Sequence, residues 1–480
     1  MPGEEILYFP MSAAEEDQVE SWTKDYVKIN VYDCGAPLDY EPYNTGTAYG
    51  YVRILTMSEF EEASAEGLLG WQDIIVLEGT PFNIMSPAAA IVTGERQNVL
   101  SHINVQASVR GTPNMYVRNP FEVFAPYEGM LARLAVGSGD YEVKADVSAD
   151  EAQAWWNEIR PHLENVVIPD YSYSYMPELD EVAVADKAQR KTAFSRFGGK
   201  GANLAILSSV IDHNFMVDGF LIPFHYFQDF MYSNSLTLSD DPDSAVVSYA
   251  NYVKYWVNDE EFRLSAVKRR AILGRLTNNM LEASNIDNNL VRDIAERIEA
   301  VFGSENVMVR LRSSSNMEDS VEFSGAGLYE SYSACAADSF GGNPAFSQCD
   351  SSKNRQMTIQ SALRKVWASF WKSQAFEERF YFQYYQPDDT AMAIAVTPAF
   401  GDEAANGVVF TGLPNNPGDK RMLVNSQMGE TSVVSPPQGI LPETAILAHD
   451  GERTAVTRIQ ASSLVNYPAT VLSDSEYSQM

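Results

Sequence analysis

Two segments of the sequence combine cationic side chains with glycines or hydroxyls, a combination typical of phosphate binding. In the first, RFGGKGANLAIL (196–207), glycines and Lys200 precede an amphipathic helical pattern. Glycine lets backbone N–H groups approach an anion closely, and a helix N-terminus adds unpaired donors. The Walker A pattern GxxxxGK[ST] is absent here. The segment therefore predicts a phosphate-binding turn of another kind, and the alternative is a glycine-rich helix start with a solvated lysine.

The second segment is VMVRLRSSSNMEDSVEFSGAGLYESY (307–332). Arg310 and Arg312 alternate along a predicted strand and so share one face. Arginine forks match phosphate oxygens, and the hydroxyls of Ser313 and Ser314 and the glycine N–H groups of the SGAG turn add neutral donors. The acidic pair that follows, Glu318 and Asp319, could serve Mg²⁺. The alternative is a strand edge whose arginines pair with local acids.

A histidine could supply the nucleophile. His102 lies where a polar turn meets a predicted short helix, in IVTGERQNVLSHINVQASVRGTPNMYV (91–117). A helix N-terminus favours an anion such as a phosphorylated imidazole, and it keeps the free imidazole neutral and nucleophilic near pH 7. The other four histidines lie in ordinary helical or loop sequence, and no GxSxG pattern indicates a hydrolase.

The composition excludes a disordered polyanion, although the chain is strongly acidic. The 480 residues include 34 Lys or Arg and 65 Asp or Glu, which gives a net charge of −31. Hydrophobic residues make up 45% of the chain, enough for packed cores in about three domains. The negative field disfavours nucleic acid and anionic membranes as partners, so a phosphate site must concentrate its few cations.

Nothing in the sequence predicts export or membrane insertion. No uncharged apolar run approaches the length of about 18 residues that a bilayer requires. The N-terminus, MPGEEILYFP, carries acids and has no basic region. Cys34, Cys335 and Cys349 are too few and too scattered for a disulfide framework or a zinc site. We therefore expect a cytoplasmic protein in a reducing compartment.

The elements that must position these residues form a compact α/β domain followed by an α+β domain. In the first, β-branched apolar runs predict strands, and a helix is predicted over 100–111. A helix over 148–166 and a Pro- and Tyr-rich linker over 169–181 follow. The second domain has helices first and strands later, and one long helix is expected over 357–382. The predicted strands are 47–55, 73–79, 88–95, 114–118, 141–147, 306–313, 326–334, 391–399, 407–412 and 421–427; the other predicted helices are 200–211, 224–233, 249–257, 260–276 and 288–303.

These motifs resemble those of the phosphoenolpyruvate synthase and pyruvate phosphate dikinase family. The GGKGANL opening, the RSS…ED segment and the GAGLYES turn occur in the order that the family's ATP-grasp-like nucleotide-binding domain shows. NVLSHINVQA (98–107) is similar to the family's swivelling phosphohistidine domain, and the histidine-domain-first order resembles the glucan water dikinases. Further matching segments are VWASFWKSQAFEERFYF (366–382), AMAIAVTPAF (391–400), ANGVVFTGLPNNP (405–417) and VNSQMGETSVVSPPQGILPE (424–443).

The resemblance implies a domain plan and a mechanism. Residues 1–40 would be a leader or a cut edge, 41–148 the swivelling domain, 149–182 a helix and linker that acts as hinge, and 183–480 the nucleotide-binding domain. His102 would accept a phosphoryl group from Mg²⁺-bound ATP and pass it on. The acceptor is left open between pyruvate, a glucan and another small molecule.

The resemblance also implies individual roles. Lys200, Arg310 and Arg312 would hold the ATP phosphates. Ser313, Ser314 and the turn from Gly325 to Gly327 would line the triphosphate. Gln427 and Glu430 would lie at the catalytic end, with Glu430 next to Mg²⁺.

Several positions depart from the family pattern and keep other functions open. The family's swivelling helix usually has Arg at the position of Ser108, and the nearest arginine is Arg110. The family's C-terminal acidic and glutamine-threonine-arginine-proline strands are not found before residue 480, so we expect an incomplete nucleotide domain or a piece of a longer protein with further domains. The alternatives are an ATP-binding regulatory module or pseudoenzyme, and an interaction protein whose site is inactive.

Overall fold

The computed structural model divides the chain into two compact units. The larger unit comprises Met1–Glu305 and Leu311–Thr397, and the smaller unit comprises Asn306–Arg310 and Pro398–Met480. The expected domain boundaries at residues 148 and 182 both fall inside the larger unit and stay predictions. The structure describes residues 39–81, 87–97, 102–161, 166–241, 243–318, 323, 328–341, 344–401, 403–412, 418–431, 433, 440–449, 453–466 and 468–479.

The larger unit begins with a seven-stranded mixed sheet. Its central strands β2 to β5 run parallel, and β1, β6 and β7 pair antiparallel at the edges in the order β1-β5-β4-β3-β2-β6-β7. Parallel strands need crossover segments, and helices lie in the connections from β2 to β3 and from β4 to β5. The strands are β1 (Tyr40–Asn44), β2 (Gly46–Leu55), β3 (Asp73–Leu77), β4 (Ala90–Thr93), β5 (Asn114–Val117), β6 (Leu131–Val136) and β7 (Tyr141–Lys144); the helices are α1 (Met57–Ala65), α2 (His102–Arg110), α3 (Pro120–Phe124) and α4 (Ala149–Ile159).

Apolar side chains cover both faces of this sheet, as its central parallel strands require. One cluster centres on Val52, Ile74 and Val76, and the other packs Ile75 and Ile91 against helices α1 and α2. Helix α1 begins with a capping box between Thr56 and Glu59. The predicted strands and the predicted helix over 100–111 are confirmed within a few residues. Residues 40–160 are called the N-terminal domain below.

Helices dominate the middle of the chain, as predicted. The segment over 260–276 is not one helix, because Ser265 is extended and caps a second helix through Lys268 N. In the part of the chain that the structure describes, no helix has the length and apolarity needed to cross a membrane. The helices are α5 (Lys187–Val210), α6 (Phe224–Ser233), α7 (Tyr249–Trp256), α8 (Glu260–Leu264), α9 (Ala266–Glu282) and α10 (Asn288–Phe302), with the short strands β8 (Phe220–Ile222), β9 (Ser235–Thr237) and β10 (Val246–Ser248) between them.

A four-stranded sheet with the order β12-β11-β13-β8 follows these helices. Its new strands are β11 (Met308–Ser315), β12 (Tyr332–Cys335) and β13 (Met392–Pro398). Helices α11 (Ala336–Phe340), α12 (Ile359–Ser369) and α13 (Ser373–Tyr381) lie between β12 and β13 in the sequence. The prediction of one long helix over 357–382 is wrong: the chain turns between α12 and α13, and the turn buries the consecutive rings of Phe370 and Trp371 completely. A straight helix would point two such neighbours in different directions.

A disulfide joins the end of β12 to the loop after α11. Cys335 and Cys349 are bonded, with their Cα atoms 5.9 Å apart. The sequence analysis excluded a disulfide framework and did not predict this single bond, which forms because the loop after α11 returns to the end of β12. Arg355 supports the same loop by donating to the carbonyl of Gly341.

The smaller unit is built around an antiparallel sheet. Its strands β14 (Ala405–Phe410), β15 (Met422–Met428), β16 (Glu443–His449) and β17 (Thr454–Gln460) pair in sequence order, and helix α14 (Asp474–Tyr477) follows. Val424, Ala445, Leu447 and Tyr477 form its buried cluster. The Tyr477 hydroxyl donates to Glu443 at 2.8 Å, which anchors the last helix to the sheet.

Candidate functional site

The predicted phosphate-binding turn lies at a break in helix α5. Gly198 has φ +71° and ψ −176°, so the helical run stops there and starts again with Lys200 in its first turn. A Cβ atom at Gly198 would lie 2.5 Å from the carbonyl oxygen of Ser314 and 2.6 Å from that of Ser315. Only glycine combines this backbone conformation with so close an approach to a strand.

Strand β11 meets this turn through its serines. The backbone N–H of Gly201 donates to Ser314 Oγ at 2.9 Å, and that hydroxyl donates to the carbonyl of Phe197 at 2.6 Å. Both hydrogen bonds of the Ser314 hydroxyl are thus used inside the protein. The structure brings the two predicted phosphate motifs together, and Ser314 is one of the residues that join them.

Lys200 is held at the junction by a buried carboxylate. Its Nζ atom lies 2.5 Å from Glu318 Oε1 and 3.5 Å from Ser313 Oγ. Glu318 has only 1% of its side chain exposed, whereas Lys200 keeps 37% exposed. A second Glu318 oxygen accepts from Ser315 N at 2.9 Å, so the carboxylate is fixed to the strand. One side of the ammonium group is therefore neutralised and positioned, and the other side remains open to solvent.

The arginines of β11 alternate as predicted. Val309, Leu311 and Ser313 are buried, while Arg310 is half-buried and Arg312 is exposed. Arg312 Nε donates to Thr397 Oγ1 at 3.1 Å. Arg310 belongs to the smaller unit. Lys200 and Arg312 both belong to the larger unit. Lys200 lies next to β11, and Arg312 lies within it.

Sequence reasoning missed a further cation, Arg379, close to this strand. Arg379, on helix α13, is fully buried and has no carboxylate partner among the described residues. Its Nη1 atom donates to Tyr329 Oη and Ala375 O, while Nε and Nη2 have no hydrogen-bond partner among the residues that the structure describes. Burial lowers the pKa of Arg379. Burial also raises the pKa of Tyr329, and the negative charge of Glu318 adds to that rise. A charge that is desolvated and unpaired is costly, so such a residue usually has a ligand or a functional reason.

Other predicted residues lie outside the described part of the chain. These are Gly325, Gly327 and Asp319, and the side chain of His102 belongs with them. The backbone of His102 begins helix α2, as predicted. Arg110 ends the same helix, and a rise of about 1.5 Å per residue puts it about 12 Å from His102 along the helix axis. Its guanidinium lies 3.6 Å from Glu378.

Gln427 and Glu430 lie in the smaller unit. The Gln427 amide is fully buried and internally bonded: Nε2 donates to Leu441 O at 3.0 Å, and Oε1 accepts from Ser462 Oγ at 2.6 Å. Glu430 is exposed and follows Gly429, whose φ of +59° turns the chain at the end of β15. Gln427 therefore supports the strand, and Glu430 is an exposed residue just beyond its end.

A comparison with known protein families identifies the nucleotide-binding part. The family model of the AMP/ATP-binding domain of pyruvate phosphate dikinase matches residues 194–467, more than half of the chain. The chain belongs to this family. A search of curated proteins found no match. The matched region of this pyruvate phosphate dikinase-type chain begins just before the glycine turn and includes Lys200, β11, Arg379 and Glu430.

The AMP/ATP-binding domain of pyruvate phosphate dikinase, whose family model the chain matches, binds ATP or AMP. The chain carries a net charge of −31, so the phosphates approach against an unfavourable field unless local cations offset it. Lys200 and Arg312 are partly accessible and can meet phosphate oxygens, and the helix start after Gly198 adds N–H donors.

The residues present also fit Mg²⁺, which ATP commonly carries. Among the described residues, no three His, Cys, Asp or Glu side chains converge as a ready-made metal centre. Mg²⁺ needs no such cage, since it keeps several waters and takes phosphate oxygens plus one or two carboxylates. The solvent-facing carboxylate of Glu430 has the chemistry of one such ligand.

Proposed function

We propose that this chain is an ATP-dependent phosphotransferase module that passes a phosphoryl group from ATP to His102 and then to an acceptor. The observation that carries the proposal is the junction of the glycine turn with β11, where Glu318 holds Lys200 beside Ser313. Glycine N–H groups and a positioned ammonium are what a triphosphate needs, because phosphoryl transfer depends on positioning and charge neutralisation.

Each residue has a distinct part in this scheme. Lys200 and Arg312 bind phosphate oxygens and orient the chain of phosphates, while Glu318 fixes Lys200 without itself touching the nucleotide. Arg310, on the same strand as Arg312, would also bind phosphate oxygens. Mg²⁺, when bound with Glu430 as a ligand, would neutralise charge on the phosphates.

The transfer itself uses His102. An unprotonated imidazole nitrogen forms a P–N bond as the P–O bond of the nucleotide breaks, and the nucleotide oxygen leaves with the bonding electrons. The second step reverses this at the acceptor, whose oxygen replaces the imidazole. A histidine intermediate divides one difficult transfer into two, and it requires the N-terminal domain to move between two positions.

Labelling with ATP tests the proposal. The protein is incubated with Mg²⁺ and ATP labelled at either the β- or the γ-phosphate, and acid-labile, base-stable label on the protein is measured. We expect label in the wild type and in His449→Ala, an exposed histidine of β16 that serves as control, and none in His102→Ala. Full labelling of His102→Ala would overturn the assignment of the intermediate.

A second function is favoured by one observation. Arg110 lies at the far end of α2 against Glu378, so it does not replace the arginine that family members carry near the phosphohistidine. The chain would then bind ATP as a regulatory module without transferring phosphate. Calorimetric ATP binding that Lys200→Met weakens, together with no label on the wild type, would establish this alternative.

A further inference from the structure

The N-terminal domain contacts helices α9 and α13 through buried charged groups. Arg269 of α9 and Glu377 of α13 form a bidentate ion pair, with Nε–Oε1 and Nη2–Oε2 distances of 2.5 and 2.9 Å, and both are almost completely buried. Arg269 Nη2 also donates to Gln72 Oε1 of the N-terminal domain at 3.2 Å. Gly70 allows this approach, since a Cβ atom there would lie 3.0 Å from the Cβ atom of Ala266.

Aromatic rings and a second arginine extend the same interface. Trp71 packs against Phe380 and Tyr381 of α13, with ring centroids about 6 Å apart. Arg160, which follows α4, donates to the backbone carbonyls of Phe380 and Tyr381 and lies over the Trp71 ring. These contacts place α13 against the end of the N-terminal domain that carries Gly70 and Trp71.

One contact reaches the helix that begins at His102. Glu378 on α13 lies 3.6 Å from Arg110, the last residue of α2, and only 10% of the Glu378 side chain is exposed. A helix is a stiff element, so fixing its C-terminal residue restricts the position of its first residue as well. Among the described residues, the Glu378 carboxylate is therefore one link between the nucleotide-binding part and the histidine helix.

The faces of α9 and α13 that contact the N-terminal domain are called the docking surface below. We propose that Glu378, within this surface, is a positioning residue whose charge sets how tightly the histidine-bearing domain is held. The role of His102 in this inference rests on the proposed function, whereas the docking surface itself does not. Arg110 remains near Glu378 in the docked position and offsets part of the cost of burying the carboxylate.

The direction of the proton effect follows from the burial. Burial raises the pKa of Glu378 from 4.5 to about 7, against the opposing effect of Arg110. If undocking returns the carboxylate to water, the docked form holds the proton more tightly, and docking weakens as the pH rises. With those two pKa values, the docking equilibrium falls about tenfold between pH 6 and pH 8.

Other ionisable groups lie around Glu378 and affect its titration. Arg110 faces it from α2, and Glu377 and Tyr381 are on its own helix. Glu377 is neutralised by Arg269. Burial also raises the pKa of Asp73, on β3, to about 6, so Asp73 adds at most about a twofold effect over the same pH range.

Distance measurement by pulsed electron resonance tests docking in the full chain. Spin labels are placed on Glu122→Cys in the N-terminal domain and Arg292→Cys in α10, both exposed, with Cys34→Ser to remove the remaining thiol outside the disulfide. We expect one main distance at pH 6 and a second, growing population at pH 8. In Glu378→Gln, the ratio of the two populations should change less than twofold between pH 6 and pH 8. Glu296→Gln, which alters an exposed carboxylate on α10, should show the same pH dependence as the wild type.

A distance distribution in the wild type that does not change with pH would overturn the proposal, as would a Glu378→Gln variant that follows the wild type. Labelling of His102 by ATP, measured from pH 5.5 to 8.5, gives the second measurement. A positioning role predicts that Glu378→Gln alters this pH profile while ATP affinity stays within about twofold, and an unaltered profile counts against it. Absence of label in the wild type would reject the proposed function and leave the distance result to decide docking.

Discussion

The larger unit holds charged groups in place by two different means, one at the glycine turn and one at the docking surface. At the turn, Lys200 is positioned by a carboxylate and by backbone contacts around Gly198, and one side of the ammonium stays in solvent. At the docking surface, Arg269 and Glu377 are wholly removed from water. The first arrangement depends on shape, and the second depends on complete pairing of buried charge, so the two should respond differently to mutation and to pH.

The largest effect is expected at the turn. Gly198→Ala combines a backbone conformation that costs roughly 2 kcal/mol with overpacking against the Ser314 carbonyl that costs roughly 3 kcal/mol, about 5 kcal/mol in all. Urea unfolding measures the loss. Gly274→Ala, in α9 with no atom within 4 Å of the new Cβ, is the matched control and should be neutral or more stable. Similar losses of unfolding free energy in both variants would show that the backbone conformation and close contacts of Gly198 do not cause the loss.

Arg269→Met should cost about 4 kcal/mol, because it leaves Glu377 buried without its counter-charge. The double variant Arg269→Met with Glu377→Met removes both charges and should recover at least half of this loss. Thermal and urea unfolding of the two single variants and the double variant form the test. A double variant that is as unstable as the sum of the singles would contradict a role for charge pairing.

The pH dependence of stability should differ between wild type and Glu378→Gln. The folded-state pKa of Glu378 is raised, so its contribution to stability is fully present below pH 4.5 and is lost as the pH rises to about 7. The difference corresponds to about 3 kcal/mol of unfolding free energy. Urea unfolding between pH 5 and pH 8 should show a shallower decline in Glu378→Gln, and equal slopes would remove Glu378 as the cause.

The smallest effect concerns ATP affinity. Lys200→Met should weaken ATP binding about tenfold, since it removes one charge-assisted contact of about 1.4 kcal/mol. Calorimetric titration measures the dissociation constant. Lys187→Met, an exposed lysine at the start of the same helix, should bind ATP like the wild type. An unchanged ATP affinity in Lys200→Met would show that Lys200 at the glycine turn does not bind the nucleotide.

The glycine turn was predictable because its information is local. The glycines and Lys200 lie side by side in one segment, and the arginines alternate along another. Hydrogen bonds of Ser314 then connect the two segments. The docking surface was not predictable in this way. Glu377 and Arg269 are 108 residues apart in the sequence, and neither lies in a sequence pattern that indicates its partner.

The errors have the same origin. Helical periodicity over 357–382 is real on both sides of the break, but only packing decides that Phe370 and Trp371 are both buried. Nothing in the sequence around Arg379 indicates that its side chain is fully buried. The pairing of Cys335 with Cys349 depends on the reversal at α11, which spacing alone does not specify.

The disulfide has a practical consequence for anyone who purifies this protein. The chain has three cysteines, so a thiol titration of the denatured protein counts one sulfhydryl when Cys335 and Cys349 are joined and three when they are not. Two preparations with identical sequence can therefore differ in covalent structure without differing visibly on a reducing gel. Counting sulfhydryls before each experiment shows whether the preparation contains the disulfide-bonded or the reduced form.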